Sequence, residues 1–206
     1  MARVSQEHLD ARRRQILQGA ARCFARDGFH GTSMQDVLKE VGLSAGAVYR
    51  YFTGKDDLIA AIAGEAIGGV RAAFEEAART TPPPAPDRLI GRVTGALFSG
   101  GPFGLAPQAF AGLVVQVWSE ALRNERLDST LGEAYGALRA AWVQLVDAYR
   151  ANGMFPADLP ADSVARTLIA TAQGFIVQLA LFGDIKPEVL EEGLRGLMSM
   201  DVQRAS

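Results

Sequence analysis

Apolar positions recur at helical spacing along nearly the whole chain. Between residues 10 and 27, Ile16, Ala20 and Phe24 fall on one stripe beside Leu17 and Ala21, while Arg12, Arg13, Arg14, Arg22 and Arg26 lie mostly elsewhere. Gly28, after Asp27, suits the left-handed residue that ends a helix. Thr32 and Ser33 open a second helix. Ser33 with Asp36 has capping-box spacing, and Thr32 with Gln35 offers a competing register. Val37 and Val41 form its inner stripe, Gly42 makes a tight turn, and Ser44 caps a short third helix, SAGAVYRYF. Thr53 and Asp56 repeat the capping pattern before a long fourth helix from about Lys55 to Arg79.

Pro82, Pro83, Pro84 and Pro86 then forbid helix and make a stiff connector. Helical patterns resume at 87–99, 107–123, 125–151, 161–182 and 187–199, with glycine or proline at most of the breaks. The runs at 111–118 and 175–181 have strand propensity, but their neighbours extend them to helix length. The prediction is an all-α chain of about nine helices: a helix-turn-helix domain over 1–54 and a second helical domain over 55–206.

The charge balance adds a division of labour. The 206-residue chain is 49% hydrophobic and 21% charged, which suits a packed core, and its net charge is -2. Residues 1–58 hold nine Arg/Lys against seven Asp/Glu, whereas residues 59–206 hold twelve against sixteen. Only the first part is electrostatically ready for phosphates. Cys23 is the one cysteine, so no intrachain disulfide or thiolate zinc cluster is expected, and a reducing cytosol is the natural compartment. His8 and His30 are too sparse for a metal site; His30 reads as a turn residue, and Cys23 as a small core residue. No cofactor is expected. The opening residues lack a signal-type apolar run. Residues 93–119 and 167–183 carry no charge. Glycines and prolines interrupt the first and polar residues the second, so both read as helices buried in protein rather than as membrane spans.

Residues 31–52, GTSMQDVLKEVGLSAGAVYRYF, have the layout of a helix-turn-helix, whose second helix lies in the DNA major groove. Val41, Leu43, Val48 and Phe52 are spaced to bury the rear of that helix. Ser44, Ala45, Gly46, Tyr49 and Arg50 are left on its front, where small residues let the backbone approach DNA closely. Gly42 to Gly46 also spells G-x-S-x-G, the string of a hydrolase nucleophile elbow. A helix rather than a strand precedes Ser44, and both histidines lie before it, so an enzyme is not predicted.

The run from ILQGAARCFARDGFHGTSMQDV through VGLSAGAVYRYFTGKDDL resembles the DNA-binding domain of the TetR family of bacterial transcriptional regulators. The resemblance is specific over residues 14–58, and VVQVWSEALRNERL looks like one C-terminal variant of the family. It implies a ligand-responsive regulator, most often a repressor, that binds a palindromic DNA operator as a homodimer in the bacterial cytoplasm, on the nucleoid when DNA-bound. By position it makes Thr32 and Ser33 phosphate contacts, places Ser44, Ala45 and Gly46 at the bases, and makes Tyr49 and Lys55 phosphate anchors. Tyr51 departs from the histidine often found at its position and completes the DNA-binding set. Ala45 lacks the long polar side chain many members carry there, which leaves Arg50 or an arm of Arg3, Arg12, Arg13 and Arg14 to add affinity. The alternative is a helical small-molecule binding protein whose head no longer reads DNA.

For the C-terminal half the resemblance implies a small-molecule pocket. Phe98, Phe103, Phe110, Gln116, Trp118, Trp142, Phe175 and Gln178 are its expected lining, with the glycine-rich turn at 100–104 as its entrance and a lipophilic or aromatic effector as its occupant. Residues 161–182 carry two apolar faces: Val164, Leu168, Phe175, Leu179 and Phe182 on one, and Ala165, Ile169, Ala172 and Ile176 on the other. A helix apolar on both sides meets two partners. One is the domain core. The other is a further element of the same subunit or a second copy of the chain; the resemblance, through the family's four-helix dimer bundle, implies the copy, across an interface of Leu168, Phe175, Leu179, Phe182, Leu190, Leu194 and Leu197.

Overall fold

The computed structural model describes residues 6–98, 103–156 and 158–200. Among them are nine α-helices and no strand: α1 (Gln6–Gly31), α2 (Met34–Val41), α3 (Ala45–Tyr49), α4 (Lys55–Arg79), α5 (Pro86–Phe98), α6 (Pro107–Ala121), α7 (Glu125–Ala151), α8 (Ala161–Phe182) and α9 (Pro187–Met198). Each helix matches a periodic segment of the sequence, with differences at the ends. The regular helix of α1 breaks at Gly28, the glycine expected to end it, at φ 76° and ψ 164°, and one more turn follows to Gly31. α3 stops at Tyr49, and Tyr51 and Phe52 both turn back onto the Val48 carbonyl. Pro86 does not belong to a non-helical connector; it opens α5, where a missing N–H costs nothing.

Side-chain caps explain most of the starts. The Ser33–Asp36 capping box is complete: the Ser33 hydroxyl accepts from the Asp36 N–H, and the Asp36 carboxylate accepts from the Ser33 N–H at 2.9 Å. The competing Thr32 register is not used, because the Thr32 hydroxyl donates to the carbonyls of Gly28 and Cys23. At α4, Thr53 pairs with Asp57 rather than with Asp56. Asn124 caps α7 through the Leu127 N–H.

Packing then fixes the assembly. α4 lies along α7, α6 along α8, α5 along α9, and α1 against α2, α6 and α4. One apolar core runs from Ile16, Leu17 and Phe24 of α1 through Val37, Val48 and Phe52 into Leu58, Ile59 and Leu113. A second joins Phe74, Ile90, Trp142, Leu145 and Tyr149. The Tyr149 hydroxyl donates to the Pro84 carbonyl at 2.7 Å, which fastens the proline connector to α7, and burial pushes its pKa well above the ordinary tyrosine range. Buried Asp87 holds Arg195 at 3.0 Å, tying α9 to α5. Two glycines have specific jobs at the head. Gly42 supplies the left-handed residue after α2, at φ 67°. A Cβ on Gly19 would stand 2.3 Å from Val41 Cγ1, so only glycine lets α1 and α2 approach this closely.

Candidate functional site

Ser44 caps α3 by accepting from the Ala47 N–H at 3.4 Å, a cap after a tight turn rather than a nucleophile on a strand. Val48 and Phe52 are buried beneath the helix, with Leu43 and Tyr51 half-buried against the same core. Ser44, Ala45, Gly46, Tyr49 and Arg50 are all exposed, Tyr49 to 48%. Arg50 makes no ion pair with any of the described residues. The five residues assigned to the front of the recognition helix therefore stand open to solvent together.

The supporting residues are placed differently. Thr32 is 1% exposed, and its N–H and its hydroxyl both bond back to carbonyls of α1. Ser33 stays exposed at the start of α2. Its hydroxyl donates to Asp36 at 2.5 Å, and that bond, with the backbone N–H, holds the Asp36 carboxyl below its usual pKa. Lys55 is half-buried: its ammonium donates to the Phe29 carbonyl at 2.9 Å and lies 4.7 Å from the Phe29 ring centroid. Arg3 lies outside the described residues. Arg13 is taken up by Glu65 of α4 and by the Phe52 ring, and Arg12 by Gln15 at 2.8 Å, so neither extends as a free arm.

Behind the head, a cavity of about 120 Å³ lies between the two cores. Four of the predicted lining residues border it: Phe98, Phe110, Trp118 and Trp142. The other four do not. Phe103 is buried against Phe110, with ring centroids 6.0 Å apart. Phe175 and Gln178 border a separate groove between α8 and α9, and Gln178 is exposed. Gln116 points the other way along α6 and reaches Gly28 of α1. Residues 100–102 of the expected entrance lie outside the described residues. The sequence reading missed Tyr135, Gln173 and Thr94, the polar groups of the cavity wall. No short motif marks them; they converge only because α5, α7 and α8 pack together.

Both long walls of the cavity end on the same turn of the head. α4 contributes Ile62, Ala66 and Ile67 to the wall, and its first residue is Lys55, bonded to Phe29. α6 contributes Leu113, Val117 and Trp118 to the wall. Its last turn carries Glu120, buried, whose carboxylate meets His30 Nε2 at 2.9 Å. His30 is thus an anchor for α6 rather than a simple turn residue. Asp57 of α4 also pairs with Arg126 of α7, and the Thr53 hydroxyl and N–H, with Arg126 behind them, hold its carboxyl below the usual range.

The apolar surface of α8 and α9 also departs from the expected set. Leu168, Phe175, Leu179 and Leu194 are buried within their own chain, and Leu190 is half-buried against the core. Ile169, Ala172 and Ile176, expected to share a face with Ala165, line the cavity. What remains uncovered is a third face: Val177, Leu181, Phe182, Val189 and Leu197, with Leu181 and Phe182 67% and Leu197 68% exposed. By length and composition α8 is long and apolar enough to cross a membrane, but its inner side packs on α6 and α7.

A helix-turn-helix head carried on a helical body with an internal apolar cavity defines a DNA-binding regulator. Comparison with known proteins supports the assignment. The sequence pattern "Bacterial regulatory proteins, tetR family" matches residues 16–62, and "BetI-type transcriptional repressor, C-terminal" matches residues 101–198. The chain is 46% identical over 65 residues to the HTH-type transcriptional repressor Rv1474c of Mycobacterium tuberculosis, a stretch covering 32% of this chain and 35% of that repressor's length. It is 28% identical over 188 residues to the uncharacterized HTH-type transcriptional regulator YfiR of Bacillus subtilis, across 91% of this chain and 89% of YfiR. The structure of Salmonella enterica GusR superposes with a TM-score of 0.74 at 27% identity, covering 97% of this chain and 100% of that one. The chain belongs to the TetR family of bacterial transcriptional regulators. It is a transcription regulator and not an enzyme.

Proposed function

We propose that the protein is a ligand-responsive repressor that works as a homodimer in the cytoplasm, on a palindromic operator, and leaves the DNA when a small lipophilic or aromatic effector fills the cavity. The observation that carries this reading is the junction at Gly28–His30, where both cavity walls fasten to the helix that holds the recognition helix. α3 enters the major groove, with Ser44, Ala45 and Gly46 at base edges. A Cβ at Gly46 would meet no neighbour, so the chain's own packing does not demand glycine there, whereas close approach of DNA does. Tyr49, Ser33 and Arg50 contact phosphates. Lys55 keeps two N–H donors beyond its bond to Phe29 and joins them at the edge, and Tyr51 supports the helix from behind. The uncovered apolar face of α8 and α9 meets its copy in a second subunit, where the four helices close a bundle. That sets two recognition helices about one duplex turn, ~34–36 Å, apart.

Effector binding pushes α4 and α6 apart. Both movements reach the Gly28–His30 turn, and the two heads lose register. Linkage requires that DNA weaken effector binding by the same factor as effector weakens DNA binding. The repressor sign follows relatives such as the transcriptional repressor Rv1474c. Fluorescence anisotropy on the duplex upstream of the protein's own gene, with a scrambled duplex as control and a salt series, tests the reading. Tight binding to the first duplex alone, with a steep salt slope, supports it. Equal weak binding to every duplex, including those from a genome-wide selection, would favour a small-molecule binding protein whose head no longer reads DNA.

A further inference from the structure

The cavity wall bears one polar cluster in an otherwise apolar surface. Gln173 Nε2 donates to the Tyr135 hydroxyl at 3.3 Å, and Trp118 lines the same cavity. The Tyr135 oxygen accepts that bond and keeps its own proton to give. That proton has no acceptor among the described residues. The third polar residue, Thr94, is already committed, its hydroxyl donating to the Ile90 carbonyl at 2.7 Å. Among the described residues, no Asp, Glu, Lys, Arg or His lines the space. The remaining wall is rich in rings: Phe74, Phe98, Phe110, Trp118 and Trp142. The volume, about 120 Å³, is close to the roughly 150 Å³ of an apolar cavity that accepts benzene.

We infer that the effector is a small neutral molecule with one aromatic ring and one oxygen acceptor, a carbonyl or ether, and that Tyr135, oriented by Gln173, is the residue that selects it. This rests on the reading of the cavity as the effector site. The volume limits the ligand to one ring with a short substituent. The ring-lined wall favours an aromatic body through edge and offset contacts. A carboxylate or ammonium would be buried with no opposite charge, and the ring faces do not replace the hydration a cation loses. A pure hydrocarbon fits but leaves the Tyr135 proton without a partner.

The test is calorimetric titration of the intact protein with four single-ring probes: acetophenone, its hydrocarbon counterpart ethylbenzene, benzoate and phenyltrimethylammonium. Acetophenone and ethylbenzene are expected to bind once per protomer, and the two charged probes at least about 100-fold more weakly. Tyr135→Phe is expected to weaken acetophenone about fivefold, the effect of one neutral hydrogen bond, and to leave ethylbenzene within about twofold. Retained ethylbenzene binding shows that the variant's cavity is intact. Should Tyr135→Phe not fold, Gln173→Leu makes the same comparison by removing the bond that orients the hydroxyl. Charged probes binding within tenfold of acetophenone, failure of both neutral probes, or equal loss of both neutral probes in a folded variant would overturn the inference. Operator release is read separately. Acetophenone binding without release keeps the ligand class and overturns the effector role; release by a charged compound with no acetophenone bound does the reverse.

Discussion

The head and the body of this regulator both pack on apolar cores and differ in the bonds added across their helices. In the head directional fastenings join α1 to α2. Gln15 donates to the Val41 carbonyl at 3.0 Å, Arg22 grips Glu40 at 2.7 Å, Thr32 bonds across the α1–α2 turn, and Ser33 and Asp36 close a capping box. In the body, α4, α6, α7 and α8 meet mostly through apolar side chains around a cavity. Hydrogen bonds hold a geometry within narrow limits, whereas apolar contacts tolerate sliding. In the proposed function, the part that presents five residues to DNA uses the first kind of bonding, and the part that changes shape around a guest uses the second. The Gly28–His30 turn, where Lys55 and Glu120 attach, joins the two.

Breaking each side separately sharpens this contrast. The largest effect is expected from Phe182→Asp with Leu197→Asp, which puts two carboxylates on the uncovered face of α8 and α9. The double variant should sediment as a folded monomer at micromolar concentration and bind operator at least about 100-fold more weakly, since each half-site then binds alone. Gly19→Val comes next. The added atoms collide with Val41, and a loss of about 3 kcal/mol is expected in thermal or denaturant unfolding, centred on the head. Arg50→Ala leaves the fold unchanged and should weaken operator binding about tenfold, with a salt slope shallower by about one, as for loss of one phosphate contact. The smallest effect concerns acid. Hydrogen bonds from the Ser33 hydroxyl and N–H lower the Asp36 pKa in the folded state, so its contribution is present above the ordinary carboxylate value of about 3.9 and lost as pH falls through the lowered one. Circular dichroism between pH 5 and 2 should show part of the helix loss titrating in that window. Asp36→Asn should remove that part.

The same contrast decides how much the sequence discloses. Ser33, Asp36, Gly42 and Ser44 act on neighbours a few residues away, so both ends of α2, the start of α3 and the exposed recognition face were legible from spacing alone. Thr53 takes Asp57 rather than the expected Asp56, because a hydroxyl has several acceptors in reach and the one it takes depends on where the helices lie. In the body the helices were legible and their faces were not. Periodicity marks Phe175, Leu168 and Leu179 as apolar but is silent on whether they meet their own chain or another. Gln116 and Gln178 sit on lining helices yet face away from the cavity, while Tyr135 and Gln173 come together from α7 and α8, 38 residues apart. His30 and Glu120 pair across 90 positions of sequence, which no local pattern encodes.

In the proposed function two copies of α3 read one duplex together. Repeated selection of bound duplexes from a random library, using the intact protein, tests this most directly. The expected product is an inverted repeat whose half-site centres lie about one helical turn, 10–10.5 base pairs, or a multiple of it apart, and whose enrichment is lost with Arg50→Ala. A pool that stays random after several rounds, or a single site without two-fold symmetry, would contradict it.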